Sequence, residues 1–319
     1  MTAGRHPISI AVLDDYQGVA LALADWSKVT DRANVTVFQD HLDDEDAIAE
    51  RLAPFDVVCI MRERTQMPGS LLRRLPRLKL IASTAPRNAA IDLAAAEACG
   101  IAIAHTGYFS EPTIELTWAL ILASARHLPA EAASVRAGGW QQTVGEDLAG
   151  KTLGILGLGR VGSGVAKVGQ AFGMDVVAWS QNLTAEKAVA GGARWVSKEE
   201  LLRTADVVSI HLILSPRTSG LIGAPEIALM KPSARLINTS RGPLLVEAAL
   251  VEALAGGRIA GAAVDVFDRE PLPADHPYRG APNLLATPHI GYVTRGLYER
   301  FYQDTVANIT TWLKERSGA

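Results

Sequence analysis

The sequence predicts an α/β protein made of two lobes, each built on a doubly wound parallel sheet. Short apolar runs, typical of buried strands, alternate with helical stretches from Ile8 onward, and a second such series begins at Thr152. This alternation is typical of parallel sheets covered by helices on both faces. A chain of 319 residues is long enough for one large domain or two ordinary domains with their own cores.

In the first series, apolar runs end in polar residues, as buried strands of a parallel sheet often do. The predicted strands are 8–13, 35–38, 57–61 and 80–82, and the predicted helices between and after them are 44–52, 69–75 and 92–99. Asp92 is expected to cap the last of these helices and Gly100 to stop it.

The second series follows a longer apolar helix, predicted at 115–128, and a segment at 133–138 that leads to Trp140. A final amphipathic helix is predicted at about 295–315. Its aromatic residues are Tyr298, Phe301, Tyr302 and Trp312. The strands predicted for this series are 152–156, 175–178, 207–211, 235–238, 262–266 and 284–286.

The bulk composition excludes several classes of protein. With 48% hydrophobic and 20% charged residues, the chain is globular rather than disordered. A net charge of -3 gives no sign of nucleic-acid or membrane-surface binding. Cys59 and Cys99 have no neighbour at CxxC spacing, so no metal site is predicted and both are expected to be reduced thiols in the cytoplasm. Neither a secretory signal in residues 1–7 nor an apolar run of ~20 residues is expected.

A glycine-rich loop at the start of the second series predicts a dinucleotide site. Gly157, Gly159 and Gly162 follow a predicted strand and open a helix, and Arg160 and Val161 lie between them. The first glycine permits the tight turn, the second lets the backbone approach a pyrophosphate, and the third allows close packing of helix on strand. The helix N-terminus then offers N–H groups to the phosphates. The competing interpretation is a plain structural turn.

The end of the next strand bears on which dinucleotide binds. An acid about 20 residues past the glycines would bond the adenosine ribose and repel a 2′-phosphate. This chain has Ser180, Gln181 and Asn182 there, three neutral side chains that can hydrogen-bond a phosphate. No arginine follows, although Arg160 is a possible substitute. We expect NADP(H), with use of both dinucleotides as one alternative. The other alternative is NAD(H), if Ser180 merely caps the strand.

Three separated segments near the C-terminus supply the groups needed for hydride transfer at a carbinol carbon. They centre on Arg241, Glu270 and His289. A histidine, which titrates near ~6.5, can take and return the hydroxyl proton near neutrality. A carboxylate on its other ring nitrogen fixes the tautomer. A guanidinium holds a carboxylate through its forked donors.

The order of these motifs resembles the D-isomer-specific 2-hydroxyacid dehydrogenases over nearly the whole chain. The segments that carry the resemblance are Asn238-Thr239-Ser240-Arg241-Gly242, Asp265-Val266-Phe267-Asp268-Arg269-Glu270-Pro271 and Thr287-Pro288-His289-Ile290-Gly291, together with the glycine loop. The resemblance implies catalysis by Arg241, Glu270 and His289 with a 2-ketoacid or D-2-hydroxyacid as substrate. It also implies a homodimer, with 115–128 and the arm to Trp140 as the candidate interface. The alternative from the sequence pattern is that this helix belongs to an interdomain core.

The resemblance further implies a domain plan. A flavodoxin-like substrate domain is expected from 1–101 and 287–319, because the last helix returns to it, and a Rossmann dinucleotide-binding domain from 102–286. Family positions that contact the cofactor match Leu212, Thr239, Ser240, Asp265 and Gly291. Asp265 would accept a hydrogen bond from the nicotinamide carboxamide, or alternatively serve a cap or turn. His211 is expected to be structural.

One segment departs from the family pattern. Where the family has a glycine-containing loop whose N–H groups hold the substrate carboxylate, this chain has Ser83-Thr84-Ala85-Pro86-Arg87-Asn88. Ala85, Pro86 and Arg87 are therefore candidate substrate residues with altered chemistry, since Pro86 has no N–H. Arg87 points either into the substrate cleft, selecting a larger or more acidic ketoacid, or to solvent. Residues 62–64 either join that pocket or form surface ion pairs.

Two further functions compete with the dehydrogenase interpretation. A non-enzymatic, dinucleotide-sensing protein of the corepressor type has the same fold, and fold alone does not define function. Formate or phosphite oxidation is a third alternative. Glu270 argues against formate oxidation, because formate enzymes of this family lack the orienting glutamate.

Overall fold

The computed structural model describes residues 7–316. The prediction that no secretory signal is present concerns mainly residues 1–6, which lie outside the described residues. The chain divides into two compact units, one made of the residues up to Phe109 and those from Arg295 onward, and the other of Ser110–Thr294. Each unit has its own parallel sheet.

The strands follow the predicted alternation. In chain order they are β1 Ile8–Val12, β2 Ala33–Val37, β3 Val57–Ile60, β4 Leu80–Ser83, β5 Ala102–His105, β6 Thr152–Leu156, β7 Asp175–Trp179, β8 Arg194–Trp195, β9 Val207–Ile210, β10 Arg235–Asn238, β11 Gly261–Val264 and β12 Leu284–Ala286.

The helices connect these strands. In chain order they are α1 Ser27–Thr30, α2 Glu45–Leu52, α3 Gly69–Leu72, α4 Leu93–Ala98, α5 Glu111–Ala125, α6 Leu128–Arg136, α7 Arg160–Ala171, α8 Ala185–Ala190, α9 Lys198–Thr204, α10 Ala224–Leu229, α11 Glu247–Ala255 and α12 Arg295–Glu315. Short 3₁₀ turns occupy Gly242–Leu244 and Pro277–Arg279.

The first unit has a five-stranded sheet in the order β2-β1-β3-β4-β5, which is the flavodoxin-like order. All of its pairings are parallel. β3 and β4 are buried along their whole length, which explains why they appear in the sequence as continuous apolar runs. Burial raises the pKa of the Cys59 thiol to about 12, so this side chain stays protonated inside the sheet.

Helix α12 completes the first unit, although it comes from the far end of the chain. It packs against β4, β5 and α1, and Phe301 and Ile309 are fully buried. Asp304 accepts the N–H of Gly107 at 2.8 Å, and Asn308 donates to the carbonyl of His105 at 3.0 Å. These bonds tie the chain that leaves β5 to the helix.

The second unit has a seven-stranded parallel sheet in the order β12-β11-β10-β9-β6-β7-β8. Its strand order reverses between β6 and β9, as in the Rossmann fold, with one further strand at the β12 edge. Helices α5 and α7 pack together on one face, where Trp118 donates to the Val165 carbonyl at 3.2 Å. The predicted fold class is confirmed in both units.

Aspartate side chains cap the N-termini of two of the predicted helices. Asp92 accepts the N–H of Ala95 at the start of α4, and Gly100 follows that helix with φ +66°. Asp44 caps α2 in the same way through Ala47. Both aspartates precede helices whose first turn has unpaired N–H groups, so their carboxylates satisfy donors that the helix cannot.

Two strands were not predicted, and several sequence-based boundaries differ from those of the structure. β5 and the two-residue edge strand β8 were not predicted, because β5 is rich in alanine and β8 has only Arg194 and Trp195. Helix α5 begins at Glu111 rather than 115, with Pro112 in its first turn, where a missing N–H costs nothing. β5 pairs with β4, so the first unit extends to Phe109 rather than 101. At the other end, residues 287–294 belong to the second unit.

Among residues 7–316, none of the helices has the length and apolar character needed to cross a membrane.

A histidine joins the carboxyl ends of β1 and β2. His41 Nδ1 lies 2.8 Å from Asp14 Oδ1, and Nε2 lies 3.0 Å from Asp43 Oδ1. Thr65 and Arg64 also bond Asp14, through its carboxylate and its carbonyl respectively. The bond to Asp14 raises the pKa of His41 most, and Asp43 adds to the effect.

This cluster predicts a pH-dependent contribution to stability. A raised folded pKa means that His41 stabilises the fold fully below its unfolded value of ~6.5, and that this contribution is lost as pH rises through the folded pKa. Urea unfolding should show His41→Ala less stable than wild type by on the order of 1 kcal/mol at pH 5.5, given partial exposure. The difference in unfolding free energy between His41→Ala and wild type should be smaller at pH 8.5. If this difference in unfolding free energy stays constant with pH, a charged pair between His41 and Asp14 is contradicted.

Candidate active site

The glycine loop after β6 has the geometry of a phosphate cradle. Gly157 has φ +99°, and a Cβ there would lie 2.6 Å from the carbonyl oxygen of His211. A Cβ on Gly162 would lie 2.0 Å from the carbonyl oxygen of Gly157. Neither position accepts a side chain. By contrast, a Cβ on Gly159 meets nothing within 4 Å, so the backbone there is open to a ligand.

The N-terminus of α7 adds donors to this cradle. The first backbone hydrogen bond of the helix runs from Ser163 to the Gly159 carbonyl at 2.8 Å. The N–H groups of Arg160, Val161 and Gly162 precede it, at the positive end of the helix dipole. Gly159 and Arg160 are exposed. A dinucleotide pyrophosphate therefore fits the residues present.

The segment after β7 carries the three neutral side chains noted in the sequence. Ser180 is half-buried, and its carbonyl accepts the N–H of Leu183 at 3.1 Å, which turns the chain. Gln181 and Asn182 are exposed. The end of this strand therefore presents hydroxyl and amide groups and no carboxylate.

His211 has a structural environment. Its Nε2 lies 2.8 Å from the Ser209 hydroxyl, and burial lowers its pKa to about 3, so the ring is neutral at ordinary pH. The carbonyl of the next residue, Leu212, accepts the Ser240 hydroxyl at 2.6 Å. This bond joins the end of β9 to the segment that carries Arg241.

The buried side chain of Asn238 holds the backbone of the Arg241 segment through two hydrogen bonds. Its amide donates to the Arg241 carbonyl at 2.9 Å, and its oxygen accepts the Ser240 N–H at 3.1 Å. Arg241 is half-buried and donates one guanidinium hydrogen bond to the Ser240 carbonyl at 2.7 Å. Thr239, also buried, pairs with the hydroxyl of Thr117 on α5 at 2.8 Å. The backbone that presents the guanidinium is thus fixed at several points.

Glu270 and His289 are in direct contact. His289 Nδ1 lies 2.5 Å from Glu270 Oε2, and Glu270 Oε1 accepts the Phe267 N–H at 3.0 Å. Because an ionised carboxylate only accepts, we assign the proton to Nδ1. The Tyr292 ring meets the imidazole edge-on, with 5.2 Å between centroids. In the described part of the chain, no hydrogen bond involves Nε2, which leaves that nitrogen for a substrate.

Asp265 fixes the loop that carries His289. It is 1% exposed and accepts the Thr287 hydroxyl at 2.6 Å, the Ile290 N–H at 2.9 Å and the Gly291 N–H at 2.8 Å. Burial raises its pKa, against the opposing effect of these bonds. These bonds match the turn role that the sequence left as an alternative. A bond to the nicotinamide carboxamide stays a prediction.

The second unit therefore gathers most of the predicted site residues. Arg241, Glu270 and His289 follow β10, β11 and β12, which are neighbours in the sheet. Carboxyl ends of adjacent parallel strands lie along one edge, where open α/β sheets bind ligands. Two threonines of α5 were missed by the sequence analysis: Thr113 donates to the Gly291 carbonyl at 3.0 Å, and Thr117 bonds Thr239. No motif marks them.

The Ser83–Asn88 loop of the first unit carries the candidate substrate residues Ala85, Pro86 and Arg87. Ala85 is buried, has φ +66°, and donates its N–H to the Thr106 hydroxyl at 2.8 Å. Its carbonyl lies 3.2 Å from His105 Nδ1. The backbone N–H of Ala85 is thus already used within the protein. A substrate contact by Ala85, Pro86 or Arg87 stays a prediction. Pro86 and Arg87 are exposed, and the described residues make no hydrogen bond or ion pair with the Arg87 guanidinium.

Arg62 and Arg64, which precede this loop, have intramolecular partners. Arg64 donates to the Asp14 carbonyl at 2.6 Å and to the Tyr298 hydroxyl at 3.1 Å. Arg62 lies over the Tyr108 ring and 3.5 Å from Glu63. The two guanidinium bonds of Arg64 favour a structural role for that residue.

Within residues 7–316, no group of three or more histidine, cysteine or acidic residues is arranged to hold a metal ion.

Comparison with known proteins shows which family the chain resembles. Residues 118–291 match the family described as "D-isomer specific 2-hydroxyacid dehydrogenase, NAD binding domain". A glyoxylate reductase from Aeropyrum pernix is 44% identical over 235 residues, which cover 70% of each chain. The crystal structure of a phosphoglycerate oxidoreductase from Vibrio cholerae O395 superposes with a TM-score of 0.91 at 37% identity, over 97% of this chain and 99% of that one.

A third relative carries ligands. The D-lactate dehydrogenase of Aquifex aeolicus, solved as a complex with NAD and lactic acid, has a TM-score of 0.78 and 27% identity, over 96% of both chains. With the dinucleotide cradle, the Glu270–His289 contact and these similarities together, the chain belongs to the D-isomer-specific 2-hydroxyacid dehydrogenases.

Proposed function

We propose that this oxidoreductase interconverts a 2-ketoacid and a D-2-hydroxyacid through Arg241, Glu270 and His289. The observation that carries the proposal is the 2.5 Å contact between His289 and Glu270, on the same sheet as the dinucleotide cradle. Hydride transfer with a nicotinamide dinucleotide is the chemistry of the family. The corepressor-type alternative has no support among the similar proteins.

His289 is the proposed acid and base. With Nδ1 bonded to Glu270, its Nε2 accepts the proton of the substrate hydroxyl during oxidation and returns it to the carbonyl oxygen during reduction. The Glu270 carboxylate stabilises the imidazolium that forms. The nicotinamide, when bound, takes or gives the hydride. The part of the reaction proposed for the protein is thus the transfer of one proton at Nε2 of His289.

Arg241 is the proposed carboxylate holder. A guanidinium offers five donors in a fixed fork and can hold a carboxylate through two parallel bonds. The Asn238 amide and the Ser240 backbone fix the peptide from which it extends. This anchoring supports a role in turning C2 of the substrate toward the hydride path.

For the cofactor, we propose contacts from the glycine loop with Arg160 and Val161, and from Leu212, Thr239, Ser240 and Gly291. We propose NADP(H) rather than NAD(H), because Ser180, Gln181 and Asn182 replace the acid that would repel a 2′-phosphate. Their half-buried to exposed positions at the end of β7 support this. The predicted cytoplasmic location stays a prediction.

Steady-state assays with NADH and NADPH across a panel of 2-ketoacids test both proposals. Wild type should reduce at least one acid, with a higher kcat/KM for NADPH. His289→Ala and Glu270→Gln should each lower kcat by at least about 100-fold, because the proton donor or its orienter is lost. Ser180→Asp should reverse the cofactor ratio toward NADH.

His127→Asn is the matched control, since it replaces a histidine of the same unit outside the site and asparagine tolerates the left-handed backbone found there. Its turnover should equal that of wild type. Undiminished activity in His289→Ala would refute the acid–base role. Equal use of both cofactors in wild type and Ser180→Asp would refute the cofactor proposal.

We propose that Arg87 contacts a second acidic group of the substrate. Its loop is fixed on both sides, by the Ala85–Thr106 bond and by Asn88, whose amide lies 3.1 Å from Ser83 Oγ. The exposed guanidinium is thus presented from a rigid backbone at the carboxyl end of β4. An exposed cation held in this way suits an acidic ligand.

Arg87→Ala should lower kcat/KM for dicarboxylic 2-ketoacids by about 10- to 100-fold, the value of one charge-assisted hydrogen bond. Monocarboxylic acids should be affected much less. Arg73→Ala, at an exposed arginine of the same unit, provides the comparison. If kcat/KM stays unchanged across mono- and diacids, Arg87 faces solvent and the proposed selectivity is wrong.

We propose that the chain forms a homodimer through the arm at 128–144. Helix α5, the other predicted interface element, packs against α7, β10 and β11, so its apolar face is covered within the second unit. The arm instead exposes apolar side chains, with Trp140 at 73% and Val144 at 91%, which are typical of a surface that a partner covers.

Sedimentation equilibrium should give twice the mass of the chain for wild type. A Trp140→Glu, Val144→Glu double variant should shift the protein toward monomer, because two charges would be buried at the interface. If wild type is a monomer at micromolar concentration, the proposed homodimer is refuted.

A further inference from the structure

The turn that carries Glu270 is held by a second carboxylate. Glu270 Oε1 accepts the N–H of Phe267 at 3.0 Å, so the position of this carboxylate depends on the Phe267–Glu270 turn. The next N–H of the turn, from Asp268, is donated to Glu247 Oε1, also at 3.0 Å. Glu247 is the first residue of α11 and thus anchors the turn to a helix.

His276 fixes the other oxygen of Glu247. Its Nε2 lies 2.9 Å from Glu247 Oε2, and its Nδ1 accepts the Tyr278 N–H at 3.2 Å. Since Nδ1 is an acceptor, Nε2 carries the hydrogen and donates it to the carboxylate. Both side chains are 17% exposed, and Tyr278 is buried. Glu247 therefore has both oxygens committed and little freedom to move.

Close backbone packing joins this turn to the Arg241 segment. A Cβ on Gly242 would lie 2.0 Å from the carbonyl carbon of Phe267, so the residue after Arg241 lies directly on the turn. The chain then runs through the Gly242–Leu244 turn to Glu247. One short stretch of chain thus holds the Phe267–Glu270 turn at two points.

We propose that Glu247 and His276 are positioning residues for hydride transfer, which hold Glu270 at hydrogen-bond distance from His289. The inference rests on the proposed roles of Glu270 and His289. In the described part of the chain, the side-chain bonds of Glu247 and His276 go to Asp268, Tyr278 and each other. They act through the backbone of the turn.

In the described part of the chain, two titratable groups besides His276 face Glu247, namely Asp268 and Tyr278, and burial and the charge of Glu247 raise the pKa of the Tyr278 hydroxyl. Burial raises the pKa of Asp268, and the charge of Glu247 raises it further. Replacement of Glu247 by a neutral residue therefore removes one of the causes that raise the Asp268 pKa, while the backbone bond to the turn is lost as well.

The kinetic test compares Glu247→Ala with Glu252→Ala, an exposed glutamate on the same helix. Glu247→Ala should lower kcat for ketoacid reduction by about 10- to 100-fold, since small displacements of catalytic groups cost this much. KM for both substrates should stay within about twofold. The pH at which reduction falls to half should move down, because a carboxylate on the imidazole favours its protonated form. Glu252→Ala should match wild type.

His276 gives a second test that does not remove Glu247. His276→Gln keeps a donor for Glu247 and should retain most of the activity, whereas His276→Ala should show the same kcat loss and pH shift as Glu247→Ala. If Glu247→Ala does not fold, as judged by circular dichroism, Glu247→Gln replaces it. This variant should show an intermediate loss, because the amide NH2 in place of one carboxylate oxygen cannot accept, so that only one of the two present bonds can form in its present geometry.

A measurement without turnover separates this inference from the proposed function. With histidine labelled by nitrogen-15, the His289 Nδ1 proton should resonate far downfield in wild type and in Glu252→Ala. It should move upfield in Glu247→Ala and disappear in Glu270→Gln. If these changes occur but no ketoacid is turned over, the proposed function fails and the positioning stands. If Glu247→Ala keeps both the resonance and kcat, or raises only the cofactor KM, the positioning role is wrong.

Discussion

A buried carboxylate holds the loop on which the proposed chemistry depends. Asp265 is surrounded by protein, and a charge in that position is costly unless it is hydrogen-bonded. The Thr287 hydroxyl and the N–H groups of Ile290 and Gly291 supply three donors, so the loop itself offsets this desolvation cost. His289 lies between these donors with φ +52°, a left-handed conformation that is unfavourable for a residue with a Cβ. The loop cannot relax that backbone without giving up the bonds to Asp265.

The parallel sheet explains how residues far apart in sequence come together. β10, β11 and β12 are adjacent, and their apolar residues fill the core of the second unit on both faces. Burial fixes the strands, and polar residues are free to occur only where each strand ends. The Arg241, Glu270 and His289 segments are those ends. Hydrogen bonds fix the backbone of these three segments. They come from the Asn238 amide, from Glu247 and from the threonines of α5.

The sequence predicted the features that depend on local patterns. Apolar runs identified nearly all strands of four or more residues, because strands buried on both faces need continuous apolar side chains. Arg241, Glu270 and His289 could be predicted as site residues because each lies in a recognisable segment. The Ala102–His105 strand was missed because its pairing with β4, rather than its composition, makes it a strand. The bonds of Ala85 to Thr106 and of Glu247 to Asp268 join residues about 20 positions apart, and no local pattern indicates such contacts.

The return of α12 to the first unit has a consequence for the order of folding during synthesis. Ser110–Thr294 is continuous in sequence and can form its core once it has left the ribosome. The first unit completes its core only with α12, which packs against β4 and β5 and whose Phe301 and Ile309 are buried. At a translation rate of about 5–20 residues per second, this delay is on the order of 10–40 s. During it, the apolar surface of the nascent first sheet is a natural target for chaperones.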